Sequence, residues 1–167
     1  MDIKTIDLPI KQSDIDALGL NEMVYLSGTL YSARDAAHKR LVELIKQDKP
    51  LPITLAGQVL YYVGPTPARP GQPSGSAGPT TSSRMDPYVP ILLDHGLKGM
   101  IGKGKRSEPT VESIKAHHAV YFGSVGGAGA YLANCITSME CVAFEDLGPE
   151  AIYKIEIKNF PVFVLAK

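Results

Sequence analysis

A segment rich in proline and glycine, residues 64–81, limits what this chain can fold into more than any other feature. It contains five prolines and four glycines. Proline lacks the backbone N–H and glycine weakens regular structure, so neither a helix nor a central strand can run through it. A disordered linker has a similar composition, but regular patterns flank the segment and there is no second domain to join. We therefore expect a long ordered loop, and such loops are usually functional.

Length and charge balance indicate one neutral globular domain. With 167 residues, we expect a single domain over residues 1–167, with residues 1–22 as a possible N-terminal arm. Seventeen Lys and Arg balance seventeen Asp and Glu, so the chain has no overall field to attract nucleic acid or an anionic membrane. No apolar run is long enough to span a bilayer, and the first residues do not resemble a signal peptide. We expect a cytoplasmic protein with neither nucleic acid nor membrane as a partner.

The two cysteines, Cys135 and Cys141, have a C-x5-C spacing. This spacing matches neither a C-x-x-C redox pair nor a zinc knuckle. Both are expected to be small buried hydrophobic residues, and their low number fits a reducing compartment. No metal site is therefore predicted in this chain.

Short apolar runs and amphipathic segments alternate along the chain. The predicted strands are residues 3–10, 23–30, 59–63, 99–101, 119–122, 136–144, 152–157 and 161–165. The predicted helices are residues 33–47, 82–95, 107–117 and 126–133. This interleaving predicts α/β class, a single layered domain with a mixed β-sheet. Gly28 is expected to form a β-bulge, and Asp86 to cap its own helix with Pro87 at the first helical position.

The segment Gly78-Pro-Thr-Thr-Ser-Ser-Arg-Met-Asp86 ends the long loop and opens a predicted helix. It brings four hydroxyl groups and one fixed positive charge to that helix start. Free backbone N–H groups there can hold an anion, and the Arg84 guanidinium can bind a carboxylate or phosphate through two hydrogen bonds. Alternatively, the hydroxyl residues only cap the helix and Arg84 is solvated.

Arg34 stands at the N-terminal end of the clearest predicted helix. A cation there opposes the helix macrodipole at a cost of roughly a few tenths of a kcal/mol, and broken local rules tend to mark functional or strained sites. The alternative is an ion pair with Asp35 or another nearby acid. His38 lies one turn further along, so it either faces the same site or packs in the core.

Lys103 lies between Gly102 and Gly104, just after a predicted strand. Flanking glycines allow a ligand or a backbone to approach closely. An ordinary turn lysine is the alternative, and Lys105 and Arg106 are equally eligible. Cations from three separate loops can bind a dicarboxylate if the fold brings them together.

The glycine-rich run 123–129 follows a predicted strand and opens a helix. Its spacing does not match the G-x-G-x-x-G pattern of dinucleotide sites, so it predicts a tight strand-to-helix turn. His117 and His118 end another helix, where positive charge is favoured, and are expected at the surface.

Several ordered motifs resemble one known family. They are Ser32-Ala-Arg-Asp-Ala-Ala-His-Lys-Arg40, Tyr61-Tyr-Val-Gly-Pro65, Gly78-Pro-Thr-Thr-Ser-Ser-Arg-Met-Asp86, Ile101-Gly-Lys-Gly104, Gly126-Gly-Ala-Gly129 and residues 150–161. Together they resemble the C-terminal domain of class I, iron–sulfur fumarases and, equally, the β subunit of L-tartrate dehydratase. The resemblance covers nearly the whole chain from about Leu26. In this family Gly129 is often alanine.

This resemblance implies a swivelling β/β/α domain and a hydro-lyase that adds or removes water across a four-carbon dicarboxylate. Fumarate and malate are the first expectation and tartrate the second. A [4Fe–4S] cluster, held by three cysteines in the other domain, would act as Lewis acid on the substrate hydroxyl. With two cysteines this chain cannot supply that set. It would be a β subunit that is active only with an α subunit, in an α2β2-type hetero-oligomer, or a homo-oligomer when isolated.

The resemblance also implies roles by motif position. Arg34, Arg84 and Lys103, with Thr81, would bind the substrate carboxylates. Thr80 matches the family's proposed base, which takes the proton from the carbon next to the one that loses hydroxide, so Thr80 and Arg84 are the catalytic candidates. A bare hydroxyl is a poor base near neutral pH and needs activation. The alternative function is a non-catalytic anion- or nucleotide-binding module.

Overall fold

The computed structural model describes residues 2–124 and 128–167. These residues contain seven strands and five α-helices. The strands are β1 (Lys4–Asp7), β2 (Met23–Ser32), β3 (Val59–Tyr61), β4 (Gly99–Gly102), β5 (Val120–Gly123), β6 (Ile136–Ala143) and β7 (Ile152–Ala166). The α-helices are α1 (Gln12–Asp16), α2 (Asp35–Lys46), α3 (Val89–Asp94), α4 (Glu108–Ala116) and α5 (Gly129–Asn134). Two 3-10 helices span Ser82–Tyr88 and Glu145–Glu150.

The strands form one mixed sheet in the order β1-β2-β3-β4-β5-β7-β6. Strands β1 to β5 pair in parallel, which requires crossover connections, and α2, α3 and α4 lie in three of them. The long strand β7 runs antiparallel to β5, β6 and β2. Because β7 pairs with both β5 and β2, the strands β2, β3, β4, β5 and β7 form a closed ring.

The strand register sorts the core into two layers. Leu60 is level with Met100, and Met100 with Tyr121, and all three belong to the layer under the helices. The next position along, Tyr61 level with Ile101, belongs to the layer enclosed by the ring. Successive strand residues point to opposite faces, so these apolar strands are buried on both sides, as in parallel sheets covered by helices.

The expected α/β class and mixed sheet are confirmed, and so is the bulge at Gly28, where the pairing register of β2 and β7 shifts. The two strands predicted at 152–157 and 161–165 were wrong, because they form the single strand β7. Asn159 adopts a left-handed backbone conformation (φ 51°) at the predicted break, and its N–H donates to the Ser27 hydroxyl across the bulge. The strand therefore bends there and continues.

The helix predicted at 82–95 is in fact a 3-10 helix followed by the short α3. Pro87 and Pro90 lack backbone N–H groups, so a continuous α-helix is disfavoured there. Helix α1 was not predicted, because five residues are too few for helical periodicity. The residues proposed as a possible N-terminal arm include β1, which pairs with β2. None of the helices among the described residues is long and apolar enough to cross a membrane.

The proline- and glycine-rich loop is tied down by its own backbone. The Thr66 N–H donates to the Ser76 carbonyl (3.0 Å), and the Gly75 N–H donates to the Thr66 carbonyl (3.1 Å). The buried Tyr61 hydroxyl donates to the Ala77 carbonyl. The Ala77 N–H donates to the carbonyl of Gly129, the first residue of α5. The segment thus folds back on itself and docks against the sheet and α5, as expected for an ordered loop.

Candidate active site

The predicted site residues lie at the carboxyl ends of neighbouring parallel strands. Arg34 follows β2 by two residues, and Lys103 directly follows β4. In α/β folds with parallel strands, both open sheets and closed barrels, ligands bind outside the carboxyl ends of the strands. The topology therefore brings the β2 and β4 candidates to one edge of the sheet.

The end of the long loop is joined to the same edge. The Thr80 N–H donates to the Tyr62 carbonyl (2.7 Å), and the Lys103 N–H donates to the Thr80 carbonyl (3.3 Å). The Ser82 N–H donates to the Lys103 carbonyl (2.9 Å), so Thr81 and Lys103 form a parallel β-bridge. Thr80, Thr81 and Lys103 therefore lie side by side, although they are more than twenty positions apart in sequence.

Arg34 and Arg84 converge on the carboxylate of Asp35. An Arg84 Nη2 nitrogen lies 3.1 Å from Asp35 Oδ2, and an Arg34 Nη2 nitrogen lies 3.8 Å from the same oxygen. All three side chains are partly exposed, at 28% for Arg34, 48% for Arg84 and 39% for Asp35. The ion pair considered for Arg34 exists, but the closer contact is made by Arg84. Both guanidiniums thus reach one carboxylate and keep N–H groups that have no partner within the described part of the chain.

Gly64 makes room for Arg34. A Cβ at Gly64 would lie 2.9 Å from Arg34 Nη1 and 3.1 Å from its Cδ, so a side chain there would displace the guanidinium. The Nε of Arg34 is buried and has no hydrogen-bond partner among the described residues. The side chain of Arg34, the N-cap residue of α2, makes no capping hydrogen bond, and the Ala36 N–H instead donates to the Glu150 carboxylate (3.4 Å). Arg34 is therefore held by packing rather than by a full set of hydrogen bonds.

Arg106 is a structural residue, which removes it as a rival of Lys103. Its side chain has no exposed surface and donates to Asp86 Oδ1 (2.8 Å), the Tyr62 hydroxyl (3.0 Å) and the Ser82 carbonyl (3.1 Å). Burial raises the pKa of Tyr62, so its hydroxyl stays neutral beside the guanidinium. Lys105 is exposed on the same loop. The buried role of Arg106 was missed because nothing in the local sequence separates it from Lys105.

The expected capping roles were wrong. Asp86 lies inside the 3-10 helix and accepts the Ser107 N–H at the start of α4 (2.9 Å) as well as the Arg106 guanidinium. It therefore joins two loops instead of capping its own helix. No side-chain cap forms at Thr81, and Ser82 Oγ instead lies 2.7 Å from the Tyr121 hydroxyl. The polar groups of this turn make tertiary contacts instead: the Asp86 carboxylate and the Ser82 carbonyl both accept from the buried Arg106 guanidinium.

His38 packs in the core below Arg34. Its ring is fully buried, and its Nδ1 lies 2.8 Å from the Arg34 carbonyl, so Nδ1 must carry the proton and donate. Burial lowers the pKa of His38 to about 4, with the Arg106 charge acting in the same direction. The ring centroids of His38 and Tyr62 are 5.2 Å apart in an edge-to-face arrangement, and Nε2 of His38 has no hydrogen-bond partner among the described residues. His38 is thus a neutral residue that holds the backbone of Arg34.

The remaining candidates lie away from these cations or outside the described residues. His118 is exposed, and His117 is bound to Asp94 at the surface (2.7 Å), as expected. The turn predicted around 123–129 includes residues 125–127, which lie outside the described residues. Gly129 is described: a Cβ there would meet the Ser76 hydroxyl and lie 3.0 Å from the Gly78 nitrogen. Alanine at this position would therefore need a shift of the long loop.

The cysteines are far from a cluster-binding arrangement. Cys135 is buried, with its Sγ 3.7 Å from the Asn159 carbonyl oxygen, and burial raises the pKa of its thiol. Cys141 is exposed, against expectation, because β6 is an edge strand that pairs with β7 alone. Within the described ranges 2–124 and 128–167, no group of three His, Cys, Asp or Glu residues could hold a metal ion. The residues present do not fit an iron–sulfur cluster.

The fold and the similarity of this sequence to known proteins define the class of this domain. It is a small α/β domain with one mixed sheet, and the chain belongs to the family described as Fumarase C-terminus, whose model matches residues 1–167. The resemblance seen in the motifs is confirmed.

Named relatives fall into two groups. The chain is 42% identical over 164 residues to the anaerobic class I fumarate hydratase of Escherichia coli K12, covering 96% of this chain and 30% of that protein. It is 44% identical over 142 residues to the mitochondrial fumarate hydratase 1 of Leishmania major, covering 84% of this chain and 26% of that protein. With the putative L(+)-tartrate dehydratase subunit beta of Methanocaldococcus jannaschii it shares 32% identity over 162 residues, 94% of this chain and 83% of that protein. The chain spans less than a third of these fumarate hydratases but most of the subunit.

Removal of Arg106 tests the buried contact. In Arg106→Met the mostly buried Asp86 carboxylate loses its partner, and we expect the free energy of unfolding to fall by about 3 kcal/mol. Urea denaturation followed by circular dichroism measures this value. The matched variant Lys105→Met removes the neighbouring exposed cation and should change stability by less than about 0.5 kcal/mol. Equal losses in the two variants would contradict the assignment.

The low pKa of His38 predicts a loss of stability in acid. Below the unfolded pKa of about 6.5 the unfolded chain takes up a proton that the folded protein, with a His38 pKa of about 4, does not. The free energy of unfolding should therefore fall by about 1.4 kcal/mol per pH unit between those two values. Urea denaturation from pH 7 to 4 should show this slope in excess over His38→Asn. Parallel pH curves for the two proteins would be inconsistent with a buried neutral imidazole.

Proposed function

We propose that this chain is the β subunit of an iron–sulfur hydro-lyase that hydrates and dehydrates a four-carbon dicarboxylate. Fumarate and malate are the first candidate substrates, and tartrate is the second. The observation that carries the proposal is the convergence of Arg34 and Arg84 on one carboxylate, beside the bridge between Thr81 and Lys103. The family and the names of its relatives support the same reaction class.

The charges at this edge suit a doubly negative ligand. Arg34 and Arg84 lie within 4 Å of the Asp35 carboxylate, and the backbone of Lys103 is bridged to Thr81 in the segment that carries Arg84. These three cations and one acid together carry a net charge of +2. Guanidinium groups bind carboxylates through paired N–H donors and fix their orientation. Each guanidinium reaches Asp35 through a single nitrogen, at 3.1 Å for Arg84 and 3.8 Å for Arg34. A substrate carboxylate would use the donors that Asp35 leaves free, with Thr81 as a further hydroxyl partner.

The same cations favour the reaction as well as binding. When the proton leaves the carbon next to a carboxylate, negative charge builds on that carboxylate, so a fixed cation there is worth more in the transition state than in the ground state. We assign this role to Arg84. Thr80 is proposed as the base, and it would act through its alkoxide form. Lys103, whose backbone N–H donates to the Thr80 carbonyl, is the cation that we propose to favour that form.

The metal chemistry is assigned to a partner. Because the cysteines of this chain do not fit a cluster, we propose that the [4Fe–4S] cluster is bound by an α subunit, where it would act as Lewis acid. The relatives that carry fumarate hydratase names are more than three times as long as the segment they share with this chain, and the shorter relative is named a subunit beta. An α2β2-type hetero-oligomer is the expected assembly.

Substitution of Arg84 tests the proposed function. We expect no hydratase activity from the purified chain alone and full activity after anaerobic mixing with its α subunit. In that mixture Arg84→Ala should lower kcat/KM by about 100-fold or more, because a charge-stabilising donor is lost from the transition state. Fumarate hydration followed by the loss of ultraviolet absorbance measures the rate.

Lys105→Ala is the matched control, since Lys105 is an exposed cation near the same edge and lacks the contacts described above. It should keep kcat/KM within about twofold of the unmodified protein. Full activity of Arg84→Ala would contradict the site assignment. Tight binding of inorganic phosphate by the isolated chain, with no activity in the mixture, would favour an anion-binding module instead.

A further inference from the structure

The last part of β7 is apolar on both of its faces. Its buried residues are Phe160, Val162, Val164 and Ala166. The residues between them are Pro161, Phe163 and Leu165, of which Phe163 is 36% exposed and Leu165 is 43% exposed. A strand with one face in water normally carries polar residues on that face, whereas a continuous apolar run is typical of a strand covered on both sides. The outer face of this strand therefore lacks a cover among residues 2–124 and 128–167.

Neighbouring residues extend this uncovered surface. Phe163 and Tyr131 of α5 line one largely apolar groove of about 270 Å³, and Tyr131 is 58% exposed. Leu20 is 62% exposed and lies beside β7, because the next residue, Asn21, donates its N–H to the Val164 carbonyl (2.7 Å). We call Leu20, Tyr131, Phe163 and Leu165 the apolar face. Contiguous apolar surfaces of this kind on soluble proteins mark interaction sites.

The apolar face borders the proposed site. Leu165 lines a second groove, of about 340 Å³, together with Gly104 and Lys105, and Gly104 directly follows Lys103. On the other side of Leu165, the groove lined by Phe163 also includes Ser124, whose N–H donates to the carbonyl of Gly102 (2.9 Å). A chain seated on the apolar face would thus extend to the loop that carries Lys103.

We propose that the apolar face is the docking surface for the cluster-bearing α subunit, an inference that rests on the proposed function. The length of the relatives favours this occupant: 30% of the Escherichia coli protein matches this chain, so the part that must pack against the matched domain is more than twice as long. The position beside Lys103 favours it as well, because a partner that acts on the same substrate must cover that edge. Tyr131 and Phe163 are the expected anchors, since aromatic side chains dominate interface energetics.

The test uses the α subunit from the same genome, identified by its match to the part of the fumarate hydratases that this chain does not cover, and purified anaerobically. Tyr131→Glu adds a charge at an exposed helix position, so it should fold normally and weaken binding of the α subunit at least about tenfold. Ala130→Glu adds the same charge one residue away, at an exposed position facing the cavity beside the long loop. It should bind within about twofold of the unmodified chain. Phe163→Ser should weaken binding as Tyr131→Glu does.

The outcomes separate the docking surface from the proposed function. If the proposal holds, activity of Tyr131→Glu returns to the unmodified kcat when the α subunit is raised to saturation, whereas Arg84→Ala does not recover. Binding that is unaffected by both Tyr131→Glu and Phe163→Ser overturns the docking surface and leaves the proposed function standing. Loss of self-association in these variants, with binding of the α subunit intact, assigns the face to a second copy and also overturns it. Binding that depends on Tyr131 in a mixture without activity supports the docking surface and overturns the function.

Discussion

The buried guanidinium of Arg106 is the contact on which the rest of the site depends. Its donors reach Asp86, the Tyr62 hydroxyl and the Ser82 carbonyl, and its side chain has no exposed surface. An arginine cannot release its charge, so burying it is tolerable only while these acceptors stay in place. Ser82 lies between Thr81 and Arg84 in sequence, so a contact to its carbonyl positions both. A cation without a role in ligand binding thereby fixes the residues proposed to bind the ligand.

The cations at this edge differ in burial: Arg106 is buried, whereas Arg34 and Arg84 are partly exposed. Arg106 uses its donors within the protein, whereas Arg34 and Arg84 share a single acid and remain partly open to solvent. A cation at the start of α2 interacts unfavourably with the helix macrodipole. For Arg34 this effect is reduced by two nearby acids, Asp35 in the first turn and Glu150, whose carboxylate accepts the Ala36 N–H. Gly104 and Lys105, which follow Lys103, line a groove together with Leu165 of the apolar face. In the proposed assembly this domain would present half of the site, and the α subunit would supply the other half.

The sequence predicted the α/β class, most elements and the family, because strand patterning, turn composition and family motifs are local signals. The roles of Arg34, Arg84 and Lys103 stay a prediction. The sequence did not predict structural roles that depend on contacts between residues far apart in the chain. Asp86 was predicted to cap its helix, and Arg106 was not distinguished from Lys105. A local sequence pattern reports neither burial nor a partner twenty positions away. The continuity of β7 likewise depends on a hydrogen bond between Asn159 and Ser27 across two strands. Periodicity could not reveal that bond.

In the proposed enzyme Arg34, Arg84 and Lys103 together hold a single dicarboxylate. The most direct measurement is a crystal structure of this chain with its α subunit and bound malate. We predict that the two carboxylates of malate lie about 3 Å from the nitrogen atoms of these three side chains, beside Thr80. Malate bound elsewhere, with Arg84 still paired to Asp35 and Lys103 facing solvent, would contradict the account.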